Sequence, residues 1–206
     1  MNFDSGDGMR ILVAGGTGKV GAAVVEALRG KHEVLVASRT SEYRVDVGDG
    51  ASIDRLFGQV GTVDAVVSVL GSTPFPQFTD LTTDHFRAGI ANKLLGQIDL
   101  VLRGRPFVAD GGSFTLVSGI LAREPIRSGA VASTVNGGLE SFVRAAATEL
   151  PRGIRINAVS PTVVTEALDV YGDFFPGFAP VPAADVARAF VKSVEGVHTG
   201  RIYELD

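Results

Sequence analysis

Short apolar runs alternate with longer amphipathic stretches from residue 10 to the end of the chain. The apolar runs are rich in Val, Ile and Leu, which favours buried strands. They lie at 10–14, 33–37, 63–69, 114–118, 155–159 and 202–205, with a weaker one at 43–45. Helical patterns lie between them at 18–29, 51–59, 82–103, 132–150 and 183–195. Continuous apolar strands separated by helices predict a parallel sheet that is covered on both faces.

This alternation predicts an α/β fold of one domain. Right-handed crossovers between parallel strands produce a Rossmann-like, doubly wound sheet, here of about seven strands with helices on both faces. Because no repeat, low-complexity tract or linker divides the chain, we expect residues 10–206 to form a nucleotide-binding domain and residues 1–9 a polar N-terminal extension. The stretch 169–182 is rich in Pro, Gly and Phe, and long loops at this end of such sheets commonly cover a ligand.

Composition narrows the classes of function. With 45% hydrophobic and 20% charged residues, the chain reads as an ordinary globular protein. The net charge of −4 offers no electrostatic case for binding nucleic acid or an anionic membrane. Cysteine is absent and the three histidines show no ligand spacing, so neither thiolate chemistry nor a metal site is expected. The polar start and the lack of a long apolar stretch predict a cytoplasmic location.

A glycine-rich turn joins the first predicted strand to the first predicted helix. Its glycines permit a tight turn and a close backbone approach to a pyrophosphate on the helix N-terminus. Because strand and helix flank it in the required order, the turn predicts a nucleotide site, and a merely tight turn is the alternative. The residues expected to hold the cofactor here are Gly15, Thr17, Gly18, Lys19, Val20 and Gly21.

The end of the second predicted strand indicates which cofactor binds. An NAD site has Asp or Glu here for the ribose 2′-hydroxyl, whereas Arg accommodates a 2′-phosphate. The chain has Ser38-Arg39 and no acid before Glu42, so NADP(H) is the expected cofactor, and Lys19 could add a second positive charge. The alternative is that Arg39 is only a solvated residue at a strand end.

The frame Leu-Glu…Arg-Ala…Glu-Leu between residues 139 and 150 resembles the active-site helix of the short-chain dehydrogenase/reductase family. Asp46-Val47 is similar to the family's adenine-contacting pair, and residues 64–71 to its Asp-x-x-x-Asn-Asn-Ala-Gly motif. Residues 157–165 resemble its Asn-x-x-x-Pro-Gly…Thr segment along the nicotinamide. By this resemblance the further cofactor contacts are Asp46, Ser68, Gly71, Pro161, Thr162 and Thr165.

The active-site helix departs from the family at its two central positions. The family usually reads Tyr-x-x-x-Lys, whereas this chain has Ala132 and Asn136. On a helix, i and i+4 share a face, so the lysine ammonium lowers the pKa of the neighbouring phenol for proton transfer. Alanine carries no proton to donate. The chain therefore resembles most a subgroup that lacks these residues, and Asn136 could still bond the nicotinamide ribose, or only pack locally.

Two further family positions also differ. The position of the usual asparagine is Lys93, or Asn92 if the helix register slips. The usual serine is Ser118, or Gly119 after a shift of one residue. We take Ser118, Lys93 and Tyr171 as the candidate catalytic residues, with the lysine and the tyrosine as possible replacements for the missing acid. The alternative for the aromatic loop around Tyr171 is a hydrophobic lid.

The resemblance implies an NADP(H)-dependent oxidoreductase acting on a small carbonyl or alcohol through an altered catalytic site. The alternative is a non-catalytic nucleotide-binding sensor or partner-binding protein. The helices at 82–103 and 132–150 resemble those that pair across two-fold axes in the family, so a homodimer or homotetramer is expected. The apolar or small residues proposed for that surface are Leu139, Phe142, Val143 and Ala146.

Overall fold

The computed structural model describes residues 8–206, so residues 1–7 of the expected N-terminal extension lie outside the described residues. Seven parallel strands form one sheet in the order β3-β2-β1-β4-β5-β6-β7. The strands are β1 (Arg10–Ala14), β2 (Glu33–Ser38), β3 (Tyr43–Arg44), β4 (Val63–Ser68), β5 (Val108–Val117), β6 (Arg155–Pro161) and β7 (Ile202–Leu205). The predicted Rossmann-like fold is confirmed. Its order reverses between β1 and β4, which is where such sheets bind their ligands.

Helices cover both faces of the sheet. The main ones are α1 (Lys19–Arg29), α2 (Gly50–Val60), α3 (Thr83–Gly89), α4 (Gly96–Gly104), α5 (Ala130–Ala146), α6 (Leu168–Tyr171) and α7 (Ala183–Glu195). Alternate strand residues face opposite sides, so Leu12 belongs to the core beneath α2, α4 and α5, while Val13 belongs to the core beneath α1 and α7. Both residues are fully buried, as the all-apolar strands predicted.

The predicted long helix at 82–103 is interrupted. A π-helical segment, Ile90–Leu95, separates α3 from α4. Such segments widen the helix and occur frequently at functional sites. Here the segment carries Asn92 and Lys93, the two alternatives that the sequence left open for one family position.

The prediction that Leu139 and Val143 contribute to an oligomer surface is wrong. Leu139 and Val143 are fully buried within the chain, where they pack beneath the sheet in the same core as Leu12. Phe142 and Ala146 are half-buried. The α5 helix needs the first pair for its own sheet contact, and the second pair, which packs against the edge of the same core, is only partly exposed.

Three carboxyl ends of strands and one covering segment position the candidate site. β4, β5 and β6 end side by side at Ser68, Val117 and Pro161. The chain after β6 contains α6 and turns back over these ends before α7 begins. Within residues 8–206, no helix combines the length and apolarity needed to cross a bilayer.

Candidate functional site

A cavity of about 430 Å³ lies at the switch point of the sheet. It extends from the glycine-rich turn past the ends of β2 and β3 to the end of β4. Seven of the residues predicted to hold the cofactor line it, namely Gly15, Thr17, Gly18, Ser38, Arg39, Asp46 and Gly71. The long, narrow course of this lining from turn to strand end suits an extended dinucleotide.

Gly15 is required by the shape of the turn. Its φ is +88°, and a Cβ there would lie 2.5 Å from the carbonyl oxygen of Val69. Only glycine fits both restrictions. The Gly15 amide donates to the carbonyl of Ala37 at 2.8 Å, so the turn is tied to β2 as well as to the end of β4.

The end of β2 presents a positive charge to this cavity. The Ser38 hydroxyl accepts from the amides of Thr40 and Ser41 at 3.1 and 3.0 Å, which shapes the turn that follows the strand. Arg39 is exposed beside it and forms no ion pair with any residue in the described part of the chain. Its guanidinium is therefore available to a phosphate.

Lys19 does not join Arg39. Its ammonium bonds the carbonyl of Glu166 and the Asp169 carboxylate, at 3.1 Å for the latter, and both residues belong to the covering segment. The ammonium holds the pKa of the Asp169 carboxyl below its usual range. The expected second charge for a 2′-phosphate is thus directed toward the segment that covers the site.

A second cavity of about 220 Å³ continues from the first at Gly71 and Ser72, which line both. It is lined by all three candidate catalytic residues, Ser118, Lys93 and Tyr171. The other residues from the sequence analysis that line it are Gly119, Ala132, Asn136, Pro161 and Thr162. The structure therefore brings together residues that are far apart in the sequence.

Lys93 lies between the ends of β4 and β5. Its Nζ donates to the carbonyl of Ser118 at 3.2 Å, and its Cβ would be 2.7 Å from a Cβ on Gly71. Gly71 has φ +96°, so glycine lets the lysine stem pass close to the end of β4. Burial lowers the pKa of the Lys93 amine from 10.5 to about 8, because an apolar setting disfavours the ammonium.

The Ser118 hydroxyl is directed away from this amine. It donates to Oε1 of the buried Glu140 at 3.0 Å, and Ser160 donates to the same oxygen at 2.9 Å. Gly119, in contrast, faces Asn136, since a Cβ on Gly119 would lie 3.0 Å from the Asn136 Nδ2. Of the two alternatives for the family's serine, Gly119 is therefore the one that lies next to Asn136 on α5. A catalytic role for Ser118 stays a prediction.

Asn136 and Thr162 bring unpartnered polar atoms to the second cavity. Both residues are nearly fully buried, and neither the Asn136 Oδ1 nor the Thr162 Oγ1 has a hydrogen-bond partner in the described part of the chain. A buried polar atom without a partner is costly, about 1–3 kcal/mol. These two atoms are therefore suited to a ligand that supplies the missing hydrogen bonds.

Ala132 lies in an apolar cluster. It is 3% exposed and packs with Ile120 and Leu121. The rings of Phe75 and Phe175 border the same cluster. The surroundings of Ala132, the position that the sequence aligns with the family's tyrosine, are thus apolar.

An aromatic group closes the outer side of the second cavity. The ring centroids of Phe75 and Tyr171 are 5.8 Å apart with a tilt of 52°, and those of Phe75 and Phe174 are 5.2 Å apart. Phe175 packs edge-on against Phe178 at 5.4 Å. Such tilted pairs are favourable arrangements. The loop is a hydrophobic cover, and it also brings the Tyr171 side chain to the cavity.

Several predicted cofactor residues line neither cavity. Val20 packs beneath the sheet, Gly21 lies against the Gly15 carbonyl, and Thr165 is exposed at the start of the covering segment. Ser68 is fully buried at the end of β4, and its hydroxyl has no partner within the described residues. Their roles stay predictions.

Sequence reasoning missed other residues of the site. Phe75 lies in a loop without a periodic pattern, and only the fold brings it opposite Tyr171. The Glu140 carboxylate, which joins the ends of β5 and β6, was used only as part of a family frame. Its position directly after a buried helix residue, Leu139, was the one available signal.

Comparison with known proteins links this geometry to a family. Residues 6–195 match a family model described as enoyl-(acyl carrier protein) reductase. Human L-xylulose reductase is 29% identical over 185 residues, which cover 78% of this chain and 74% of that protein.

Solved structures are similar over nearly the whole chain. The lin1944 protein from Listeria innocua is 49% identical, with a TM-score of 0.94 over 96% of this chain and 100% of that one. A small-chain dehydrogenase in complex with NADPH is 26% identical, with a TM-score of 0.87 over 97% of each chain.

Proposed function

The chain belongs to the short-chain dehydrogenase/reductase family, and from that membership we propose an NADP(H)-dependent oxidoreductase that reduces a small carbonyl through an altered catalytic site. The observation that carries this proposal is Lys93, an amine in the reaction cavity whose pKa is lowered to about 8. The altered site is the set formed by Gly119, Ala132 and Asn136, none of which can act as an acid at neutral pH.

The residues of the first cavity fit NADP(H). The Gly15 turn leaves room for a pyrophosphate at the start of α1, and Arg39 offers a free guanidinium for a 2′-phosphate. The unpartnered Asn136 Oδ1 and Thr162 Oγ1 suit the ribose and carboxamide groups of a nicotinamide. A structural relative with 26% identity was solved with NADPH, which supports the same choice.

Lys93 would be the proton donor. A nicotinamide held by Asn136 and Thr162 would supply the hydride for the carbonyl carbon. The oxygen then gains negative charge, and the Lys93 ammonium both stabilises this charge and donates a proton to it. A pKa of about 8 suits the task, because the amine is mostly protonated at neutral pH and still gives up its proton readily. The Ser118 carbonyl holds the amine at the cavity wall.

The test is NADPH oxidation, followed by absorbance, with a panel of small carbonyl compounds. Removing the general acid in Lys93→Met should lower kcat by about 10²–10⁴-fold. Tyr171→Phe keeps the ring and should retain most of the activity, which separates the two candidate donors. Both side chains line the second cavity, where the nicotinamide would lie, so NADPH affinity is measured for each variant to separate a loss of cofactor binding from a loss of the proton donor.

The pH dependence gives a second measurement. Only the ammonium donates a proton, so wild-type kcat should fall as the pH rises through about 8. Lys93→Arg keeps a positive charge with a far higher pKa and should lose this fall. NADPH binding without turnover of any carbonyl would contradict the proposal and favour the non-catalytic nucleotide-binding alternative.

A further inference from the structure

We propose, building on the function above, that the carbonyl substrate is a small planar quinone and that Phe75 and Tyr171 select it. The inference joins two observations. Most residues that line the reaction cavity are aromatic or apolar, and the two positions that the sequence aligns with the family's phenol and ammonium are Ala132 and Asn136. Neither observation alone indicates the substrate. Together they favour a planar hydride acceptor whose reduction requires only a weak general acid.

The cavity walls suit a flat ring. Its lining includes three aromatic residues, Phe75, Tyr171 and Phe175, together with Ile120 and Leu121. Phe75 and Tyr171 pack against each other with a tilt of 52° and centroids 5.8 Å apart, and both rings border the cavity. Offset or edge-to-face packing contributes about 0.5–1.5 kcal/mol per aromatic pair beyond the apolar area buried.

The same walls suit a sugar less well than a flat ring. Each sugar hydroxyl that is buried without a hydrogen bond costs about 1–3 kcal/mol. Ser72, Thr73 and Tyr171 bring hydroxyl groups to the cavity, but its phenylalanine and aliphatic side chains offer a sugar no hydrogen bonds. The Ser118 hydroxyl is already bonded to Glu140. We therefore expect this chain to differ in substrate from the L-xylulose reductase that it is similar to.

The chemistry of the product favours a quinone as well. Reduction of an isolated ketone leaves an alkoxide, which is about as basic as hydroxide. Reduction of a quinone leaves an aryloxide, which resembles the tyrosine phenolate with a pKa of about 10. The less basic oxyanion needs a weaker acid. A single ammonium at Lys93 is therefore sufficient where Ala132 has replaced the phenol.

The step is balanced with NADPH as the reductant. The quinone accepts the hydride at one oxygen, and the two electrons pass through the ring to the far oxygen, which becomes an aryloxide. That oxygen takes a proton from the Lys93 ammonium, and the amine recovers a proton from water. One quinone, one NADPH and one proton thus yield one hydroquinone and one NADP⁺.

The size of the cavity limits the ring system. Its volume of about 220 Å³ must also hold the nicotinamide ring and lies below the roughly 300–1,000 Å³ of sites for larger ligands. A benzoquinone with one small substituent meets this limit.

The experiment compares three substrates with the full chain and NADPH: 2-methyl-1,4-benzoquinone, cyclohexanone and L-xylulose, with the rate in the absence of protein subtracted. We expect kcat/KM for the quinone to exceed both others by about 100-fold, the lower range of what a general acid contributes. Phe75→Leu keeps an apolar wall but loses the ring, so KM for the quinone should rise by about 3- to 10-fold. Phe178→Leu is the matched control, because Phe178 belongs to the same cluster without lining this cavity.

The outcomes separate this inference from the proposed function. Preference for cyclohexanone or L-xylulose would overturn the quinone inference and leave the carbonyl reductase standing. Equal KM changes in Phe75→Leu and Phe178→Leu, with unchanged NADPH affinity, would overturn the selective role of Phe75. No turnover of any of the three, with NADPH bound, would overturn the proposed function itself.

Discussion

Lys93 and Asn136 supply different chemical groups to the same cavity. Asn136 offers hydrogen bonds but no charge, and its Oδ1 has no partner in the described residues. Lys93 carries the charge on a different element, and burial lowers its pKa to about 8. Lys93 thus brings a positive group to the cavity, although Asn136, which the sequence aligns with the family's lysine, carries no charge.

Cofactor choice is decided at the scale of one residue. Arg39→Ala should weaken NADPH binding by about 10- to 100-fold, because a charge-assisted contact contributes about 1.5–3 kcal/mol. NADH lacks the 2′-phosphate, so its affinity should hardly change. Titration calorimetry of both cofactors measures this difference, with Arg44→Ala as a control on a neighbouring exposed arginine. Equal wild-type affinities for NADPH and NADH would contradict the role of Arg39.

Hydrogen bonds between helices and the ends of strands hold the residues of the site in position. Glu140 on α5 accepts from Ser118 after β5 and from Ser160 within β6, and so fixes two neighbouring strands to one helix. The Ser118 carbonyl then holds Lys93 from the π-helical segment. The geometry of the amine therefore depends on four elements rather than on its own sequence neighbours.

The α5 helix allows a direct test of the altered site. Ala132→Tyr with Asn136→Lys should raise carbonyl reduction by more than the sum of the two single variants, because the phenol becomes an effective acid only beside the ammonium. The new ring must displace Phe75 or Phe175, which border the Ala132 cluster. Values of kcat/KM for all four proteins give the coupling.

Cofactor affinity and thermal unfolding of the same four proteins serve as controls. A folded double variant that binds NADPH without any gain in rate would mean that the substrate cavity no longer serves carbonyl reduction.

The whole molecule presents an apolar surface away from the site. Leu95, at the end of the π-helical segment, and Leu102, on α4, are 49% and 47% exposed, although α4 packs its other side on the core. Phe142 and Ala146 on α5 are half-buried. Apolar side chains on neighbouring helices favour association, so a homodimer or homotetramer remains our proposal.

Light scattering tests this proposal. The wild-type protein should show a multiple of 21.5 kDa at micromolar concentration. Leu102→Lys should shift the mass toward the monomer, because a charge cannot be buried without a partner. Val197→Lys is the control, since Val197 is 86% exposed beyond the end of α7. A wild-type mass of 21.5 kDa would reject the assembly.

The sequence determined the fold and the cofactor turn because both depend on local patterns. Buried parallel strands are apolar throughout, and a strand-turn-helix with glycines at fixed spacing is contiguous along the chain. The prediction that Ala132 and Asn136 replace the family's Tyr-x-x-x-Lys pair rests on the same kind of local pattern, since an i, i+4 pair shares a helix face, and it stays a prediction. Some of the predicted strand bounds differ from the observed ones by several residues. For example, the sequence predicts that β5 begins at residue 114, but β5 already pairs with β4 at Val108.

The tertiary structure alone decided which side chains meet. Lys93, Ser118 and Tyr171 converge because strand order, not sequence distance, makes their elements neighbours. The sequence also left open which way the residues after β5 point. In the structure the Ser118 hydroxyl points to Glu140, and Gly119, one residue later, lies beside Asn136. Lys19, adjacent to the cofactor turn in sequence, pairs with Asp169 because an ammonium on a flexible stem bonds the carboxylate that folding brings within reach.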